Sequence, residues 1–435
     1  MPASAEWKEN VLYSFQGIPD GAVPAGDVVF DKAGNLYGAT QDGGSSSCDG
    51  PGQCGTVYQL TPPTHKGGAW TETVLYVFKG HAYNDGATPA GGVVTDQAGN
   101  LYGTTGYGGG GPCTLLGGAV GCGTVYELSP PAKQGDPWTE TVLYSFQGGN
   151  DGYVASGDLV LDKAGNLYGA TLFGGGKGTT CDSLYGGQCG TVFELSPPES
   201  NGGKWTEKVL HSFASATDGA NPNGGLVLDS KGAIYGTTYG GGFEDGDCGS
   251  GGCGTVFELK PPTKKSGAWA EKILHRFESS SDGGGPTAGV VFDKEGTLYG
   301  TTVGGGAGNY AEGTIFSLAP NANGPWTERL LHTFQDGDDG AQPRAAIVFD
   351  TKGNIYGTAS IGGLGRGGTS FKLRPAGKSW SLAVLHAFTG NPDGSWPASG
   401  LIFDAVGNLY GTTEQSGTGQ ACGNYGCGTV FEVWP

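Results

Sequence analysis

The chain holds a single methionine, and only 15% of its residues are charged. No stretch repeats apolar residues at the helical period, so helix should be nearly absent. No apolar run approaches the ~20 residues that a membrane-spanning helix needs. Basic residues are scarce as well. Lys and Arg number 23 against 41 Asp and Glu, for a formal net charge of −18. Phosphate backbones and anionic membranes are held by clustered basic side chains, so neither nucleic acid nor membrane insertion is expected. Histidine is rare too, at six residues.

What is abundant is glycine, 89 residues, together with 24 prolines. The glycines interrupt short apolar and aromatic runs such as Val11-Leu12-Tyr13-Ser14-Phe15. That alternation reads as brief strands joined by many turns rather than as disorder. One phrase, Leu/Ile-Tyr-Gly, recurs seven times with its tyrosine at 37, 102, 168, 235, 299, 356 and 410. A period of this length identifies a repeat architecture, and the array leaves no segment for a second domain, so residues 1–435 are read as one domain.

Each unit contains four strand-like runs. In one of them these are 91–96, 101–105, 123–128 and the Trp-led run 138–146. Four antiparallel strands repeated radially make a β-propeller blade. The chain opens with a lone fourth strand, residues 7–15, and closes with the first three strands of a unit, within 399–435. An open array would leave two exposed sheet edges, whereas a ring lets the N-terminal strand complete the last blade. The expected fold is therefore all-β, a seven-bladed propeller with one-plus-three closure. The phrase Asp-x-x-Gly-Asn-Leu-Tyr-Gly-Thr-Thr, followed by Gly-Gly-Gly and Cys-Gly-Thr-Val-Phe-Glu-Leu-x-Pro-Pro, resembles the GloVer tandem repeat of bacterial exported proteins. The resemblance covers residues 7–435 and implies export; it brings no catalytic residues with it.

The ten cysteines fall as close pairs at 48/54, 113/122, 181/189, 248/253 and 422/427, each between the second and third strands. Even numbers at equivalent places read as local disulfides of an oxidising compartment. No pair has the Cys-x2-Cys spacing of a zinc site. Ala3-Ser4-Ala5 resembles the tail of a signal-peptide cleavage site, so a secreted chain with its signal removed is expected.

Strand alternation places the Cys-bearing loops and the Asp-Gly-x-x-Pro connectors on one face, around the mouth of the central channel. Loops on a rigid scaffold usually carry binding and catalysis. The connector aspartates (Asp20, Asp85, Asp151, Asp218, Asp282, Asp339 and Asp393) could suggest calcium, but Asp-Gly is ordinary turn chemistry and the feature occurs in every blade. No metal site or cofactor is expected. His211, His275, His332 and His386 replace Tyr13, Tyr76 and Tyr144 in outer strands, too far apart to converge on a metal.

Function should sit where the repeat is broken. Asp27 and Asp158 replace Gly or Ala at the start of first strands, Arg344 replaces small residues, and Glu414 ends a second strand. Tyr107, Phe173, Tyr239, Phe243, Tyr310 and Trp396 add aromatic rings to the same loops. Rings stack on sugar faces and carboxylates accept hydroxyl hydrogen bonds. The expectation is a monomeric binding module for a glycan or cell-wall polymer, with Arg344, Tyr107, Phe173, Tyr239, Tyr310 and Trp396 at its surface. Two alternatives stand beside it: a polysaccharide-cleaving hydrolase or lyase using Asp27, Asp158 and Glu414, and a structural protein of the cell surface.

Overall fold

The computed structural model describes residues 7–45, 54–65, 67–114, 118, 120–133, 135–176, 189–200, 202–214, 218–242, 248, 251–264, 267–307, 312–321, 324–419 and 421–435. Seven antiparallel sheets form seven blades. Blade 3 shows the plan: Tyr153–Leu161 lies innermost, then Leu167–Phe173, Thr191–Ser196 and Thr206–Ser212 outermost. In blade 7 the outer strand is Lys8–Ser14, paired with Thr429–Trp434 near the other end of the chain. The ring therefore closes as one strand plus three. Helix among the described residues amounts to two three-residue 3-10 turns, His81–Tyr83 and Gly423–Tyr425.

The recurring phrase is explained by contacts between blades. The phenylalanine ending each outer strand meets the aromatic of the next blade's third strand. Phe78 and Tyr126 stand edge to face at 5.0 Å, and Phe146 and Phe193 at 5.2 Å. Such pairs add ~0.5–1.5 kcal/mol each beyond the area they bury, and all seven blade interfaces have one. The glycine of Tyr-Gly makes room for that third-strand ring. A Cβ on Gly103 would fall 2.3 Å from Tyr126 Oη, and one on Gly169 2.5 Å from Phe193 Cζ. The phrase tyrosine itself meets the tryptophan of the following blade at a tilt, as Tyr37 does Trp138 at 6.2 Å and 58°.

The turn aspartates behave as turn chemistry requires. Asp31 Oδ1 accepts from the amides of Ala33 and Asn35, and its other oxygen accepts from Asn35 Nδ2 and Tyr37 Oη. The inner strands differ from the uniform runs expected from sequence. In blades 4 to 7 only two residues pair, for example Val227–Leu228, and in blade 2 the strand is split into Gly86–Pro89 and Val94–Thr95. The interruption coincides with Gly91-Gly92 and Gly224-Gly225, where neighbouring backbones touch around the axis. A Cβ on Gly26 would lie 1.9 Å from Gly92 N, and one on Gly224 2.2 Å from the carbonyl carbon of Ala288.

Each connector is latched to the blade before it. Its fourth residue takes positive φ in every blade: Val23, Thr88, Val154, Asn221, Gly285, Gln342 and Trp396, between 53° and 63°. The amide of that residue donates to the residue two before the preceding blade's third strand, as Val154 N does to Cys122 O at 3.0 Å and Trp396 N to Gly367 O at 2.8 Å. A left-handed non-glycine residue costs ~1–2 kcal/mol, which the latch and the packing around it offset.

Candidate functional site

The four residues singled out as departures from the repeat all line one cavity. Asp27, Asp158, Arg344 and Glu414 surround a space of about 440 Å3 at the axis, with Gln41, Asn223 and Thr287 among the other lining residues. The rest of the wall is glycine, alanine and aliphatic side chain, because the small axial residues leave no room for more.

Asp27 and Asp158 are drawn together but are tied to the backbone. Asp27 Oδ1 accepts from Gly400 N of blade 7 at 2.6 Å. Asp158 Oδ1 accepts from Gly92 N of blade 2 at 2.5 Å, and the Asp158 carboxylate also takes a hydrogen bond from the Asp27 amide. Burial pushes the Asp27 carboxyl up, and the neighbouring Asp158 charge pushes it further. Burial also raises Asp158, with the amides of Gly92 and Asp27 opposing. The two carboxylates thus span blades 7, 1, 2 and 3 across the channel.

On the other side, blades 6 and 7 build a polar cluster. Arg344 Nη2 donates to Gln342 Oε1 at 2.8 Å and its Nε donates to Ser360 Oγ at 3.2 Å. The guanidinium lies 5.8 Å from the centre of the Trp396 ring. Trp396 is set there by its left-handed backbone, and its indole N–H is buried without a hydrogen-bond partner. Glu414 N donates to Trp396 O at 3.0 Å, which fixes the strand end that carries this carboxyl. Burial raises the Glu414 carboxyl and the Arg344 charge lowers it.

Trp396, Tyr107, Phe173 and Tyr239 are not among the residues that line the cavity. Tyr239 is 48% exposed and sits over Gly285, whose Cβ, if present, would fall 3.0 Å from the tyrosine ring. Tyr107 and Phe173 are half-buried against the core of blades 2 and 3, and Phe173 packs on Tyr153 at 5.3 Å. They are less exposed than free loop rings would be. Tyr310 and Phe243 lie outside the described residues.

Disulfides join Cys113 to Cys122, Cys248 to Cys253 and Cys422 to Cys427. Cys54 and Cys189 are also disulfide-bonded; Cys48 and Cys181 lie outside the described residues. The bridges stand beside the connectors: a Cβ on Gly17 would fall 3.5 Å from Cys422 Sγ, and one on Gly148 3.1 Å from Cys113 Sγ. Cys loops and connectors share a face, as strand alternation demands. No helix among the described residues is long and apolar enough to cross a membrane.

A second polar constellation rings the perimeter, and sequence reading gathered only part of it. At each blade junction the outer-strand Tyr or His meets the connector Asp. Tyr76 Oη donates to Asp85 at 2.8 Å, and His275 Nε2 lies 2.8 Å from Asp282. Connector amides complete the aspartate, as Gln16 N does for Asp20. Facing these groups is the Glu that follows Trp by two positions on the next outer strand: Glu9, Glu72, Glu140, Glu207, Glu271 and Glu328. One oxygen of each is buried with no hydrogen-bond partner. Burial, then the nearby connector aspartate, pushes Glu72, Glu140 and Glu207 up to about 7. Blade 6 has Leu382 in this slot, packed into the core. The recurrence of Glu two residues after Trp was the available signal.

The match to a family decides where this chain belongs. Two overlapping segments, 112–346 and 245–435, fit the model described as the Gloeobacter/Verrucomicrobia repeat and together span most of the chain. The chain belongs to this repeat family. No curated protein matches it. Among solved structures, it is similar to a candidate 6-phosphogluconolactonase from Bacteroides fragilis, at 12% identity over 89% of this chain and 87% of the other, TM-score 0.48. It is similar to a Dyadobacter fermentans protein of unknown function, at 13% identity over 88% and 98%, TM-score 0.43. A gluconolactonase from Xanthomonas campestris, XC5397, matches at 13% identity over 71% and 78%, TM-score 0.37.

Proposed function

We propose that this repeat-family propeller is an extracellular binding module that takes a glycan or cell-wall polymer at the axial mouth of its Cys-loop face. One observation carries the reading: residues that break the repeat in blades 1, 3, 6 and 7 converge on a single cavity. Its volume, about 440 Å3, falls within the ~300–1,000 Å3 usual for small-ligand sites, enough for a chain end or side branch. Arg344 offers a planar fork for hydroxyl or carboxylate oxygens, Glu414 an acceptor, and Trp396 holds the guanidinium in place. The disulfides accord with an oxidising, extracellular setting, and the chain is proposed to act as a monomer.

Calorimetric titration of soluble cell-wall polysaccharides, guided by a glycan array, tests this. Binding to the wild type should weaken at least tenfold in Arg344→Ala and in Trp396→Ala. Equal binding by both variants would remove the site. A cleaving enzyme is favoured only by the raised Asp27 carboxyl beside Asp158, a combination suited to carrying a proton. Reducing-end release that disappears in Asp27→Asn would move the protein to that class. A cell-surface scaffold is what remains if no saccharide binds.

A further inference from the structure

The perimeter triads are built alike, and one stands apart. His211 lies on the outer strand of blade 3, Asp218 in the connector that follows, and Glu271 on the outer strand of blade 4, Ala270–Arg276. In the sister triads the imidazole has closed onto its aspartate, at 2.8 Å for His275 and Asp282 and 3.0 Å for His386 and Asp393. His332 also closes onto its aspartate, Asp339, at 2.8 Å, where Leu382 stands in place of the glutamate. His211 has not. Its Nε2 stands 3.5 Å from Asp218 Oδ2 and 3.7 Å from Glu271 Oε1, and the three donor atoms lie within 4.8 Å of one another. Both His211 Nε2 and Glu271 Oε1 are buried atoms without a hydrogen-bond partner.

Donors bound at ~2.0–2.2 Å around a tetrahedral ion sit roughly 3.3–3.6 Å apart, close to the two separations seen here. The ligands are also oriented in advance. Phe213 holds the imidazole edge to face at 4.7 Å, and Ala214 N donates to Asp218 Oδ1 at 3.0 Å, leaving Oδ2 turned to the histidine. Side-chain exposures of 16–19% let a water reach the fourth position. One imidazole with two carboxylates balances a divalent charge, and imidazole favours zinc-like ions over calcium or magnesium.

We infer that His211, Asp218 and Glu271 bind one divalent ion of the zinc class, with water as fourth ligand, clipping blade 3 to blade 4. The inference is independent of the glycan reading. Tag-free, EDTA-treated protein is titrated with Co2+ and then with Zn2+. One equivalent of Co2+ should bind with the visible d–d bands of a tetrahedral site, and Zn2+ should displace it. His211→Tyr, which installs the residue of three other blades, and Glu271→Gln should each weaken binding by more than ~10-fold, the least that even an outer-shell loss costs. His275→Tyr, at the closed triad next door, should leave binding unchanged. Failure of the wild type to bind either ion would overturn the assignment. So would an unchanged spectrum in His211→Tyr, or loss of the ion in His275→Tyr.

Discussion

Replacing Glu72, Glu140 and Glu207 together by glutamine should stabilise the protein at alkaline pH and do almost nothing at acid pH. Each carboxyl is lifted from 4.5 to about 7, chiefly by burial. A folded-state pKa above the unfolded one means that the native state holds the proton more tightly. Stability from each group is then fully present below pH ~4.5 and is lost as pH rises toward 7. The full linkage of such a shift is ~3.4 kcal/mol per group. These side chains are partly solvated, so screening reduces it to ~1–2 kcal/mol each and ~3–6 kcal/mol for three. Glutamine mimics the protonated form and removes that loss. A chain of this size has an unfolding entropy of about 0.9 kcal/mol per degree, so Tm at pH 8.5 should rise by ~3–6 °C over the wild type. At pH 4.5 the two proteins should melt nearly together. Calorimetric melts at the two pH values decide it. A triple variant that is less stable at pH 8.5 would show that the glutamates are ionised and held by favourable partners, and one shifted equally at both would show that their titration does not govern stability.

Two further outcomes test the axis. Asp27→Asn keeps an acceptor for Gly400 N and removes the repulsion from Asp158; because the Asp27 carboxyl is raised, the variant should gain stability over wild type at pH 8 and lose that advantage near pH 4, by thermal melts. Gly26→Ala, whose Cβ would fall 1.9 Å from Gly92 N at a φ of 61°, should cost more than ~4 kcal/mol or abolish soluble expression, whereas Gly67→Ala, with open space at a similarly positive φ, should cost ~1–2 kcal/mol.

The blades and their closure were legible because every contact that builds them is repeated seven times. Tyr37, Trp138, Phe78 and Gly103 announce their roles through recurrence, and the connector aspartates follow known turn chemistry. The gathering of Asp27, Asp158, Arg344 and Glu414 was also foreseeable, since topology alone puts those strand ends at one mouth. What sequence did not reveal was the use of their atoms. That Asp158 spends its oxygens on Gly92 and on the Asp27 amide depends on how closely the glycine-flanked inner strands approach around the axis. The perimeter glutamates were overlooked for a different reason. Each meets a His or Tyr from the preceding blade, more than fifty residues away, a contact that no local spacing displays. Tyr107 and Phe173 read as loop rings because glycines follow them, yet both lie on the second strands Leu101–Gly108 and Leu167–Phe173 and are partly buried against the core.

The latched connector separates the frame of the ring from the chemistry it displays. The hydrogen bond that fixes each connector uses only main-chain atoms, so the latch itself does not depend on which side chain stands at the left-handed position. Val23, Thr88, Val154, Asn221, Gly285, Gln342 and Trp396 are therefore seven pegs of fixed backbone position, of which Asn221 and Gln342 also reach the preceding blade through their side chains and Val154 packs into the core. Surface chemistry can be rewritten peg by peg, from apolar to amide to indole, while the frame and its closure stay the same. In that arrangement the main-chain latch is the constant part of the ring, and the residue it carries is the part that differs from blade to blade.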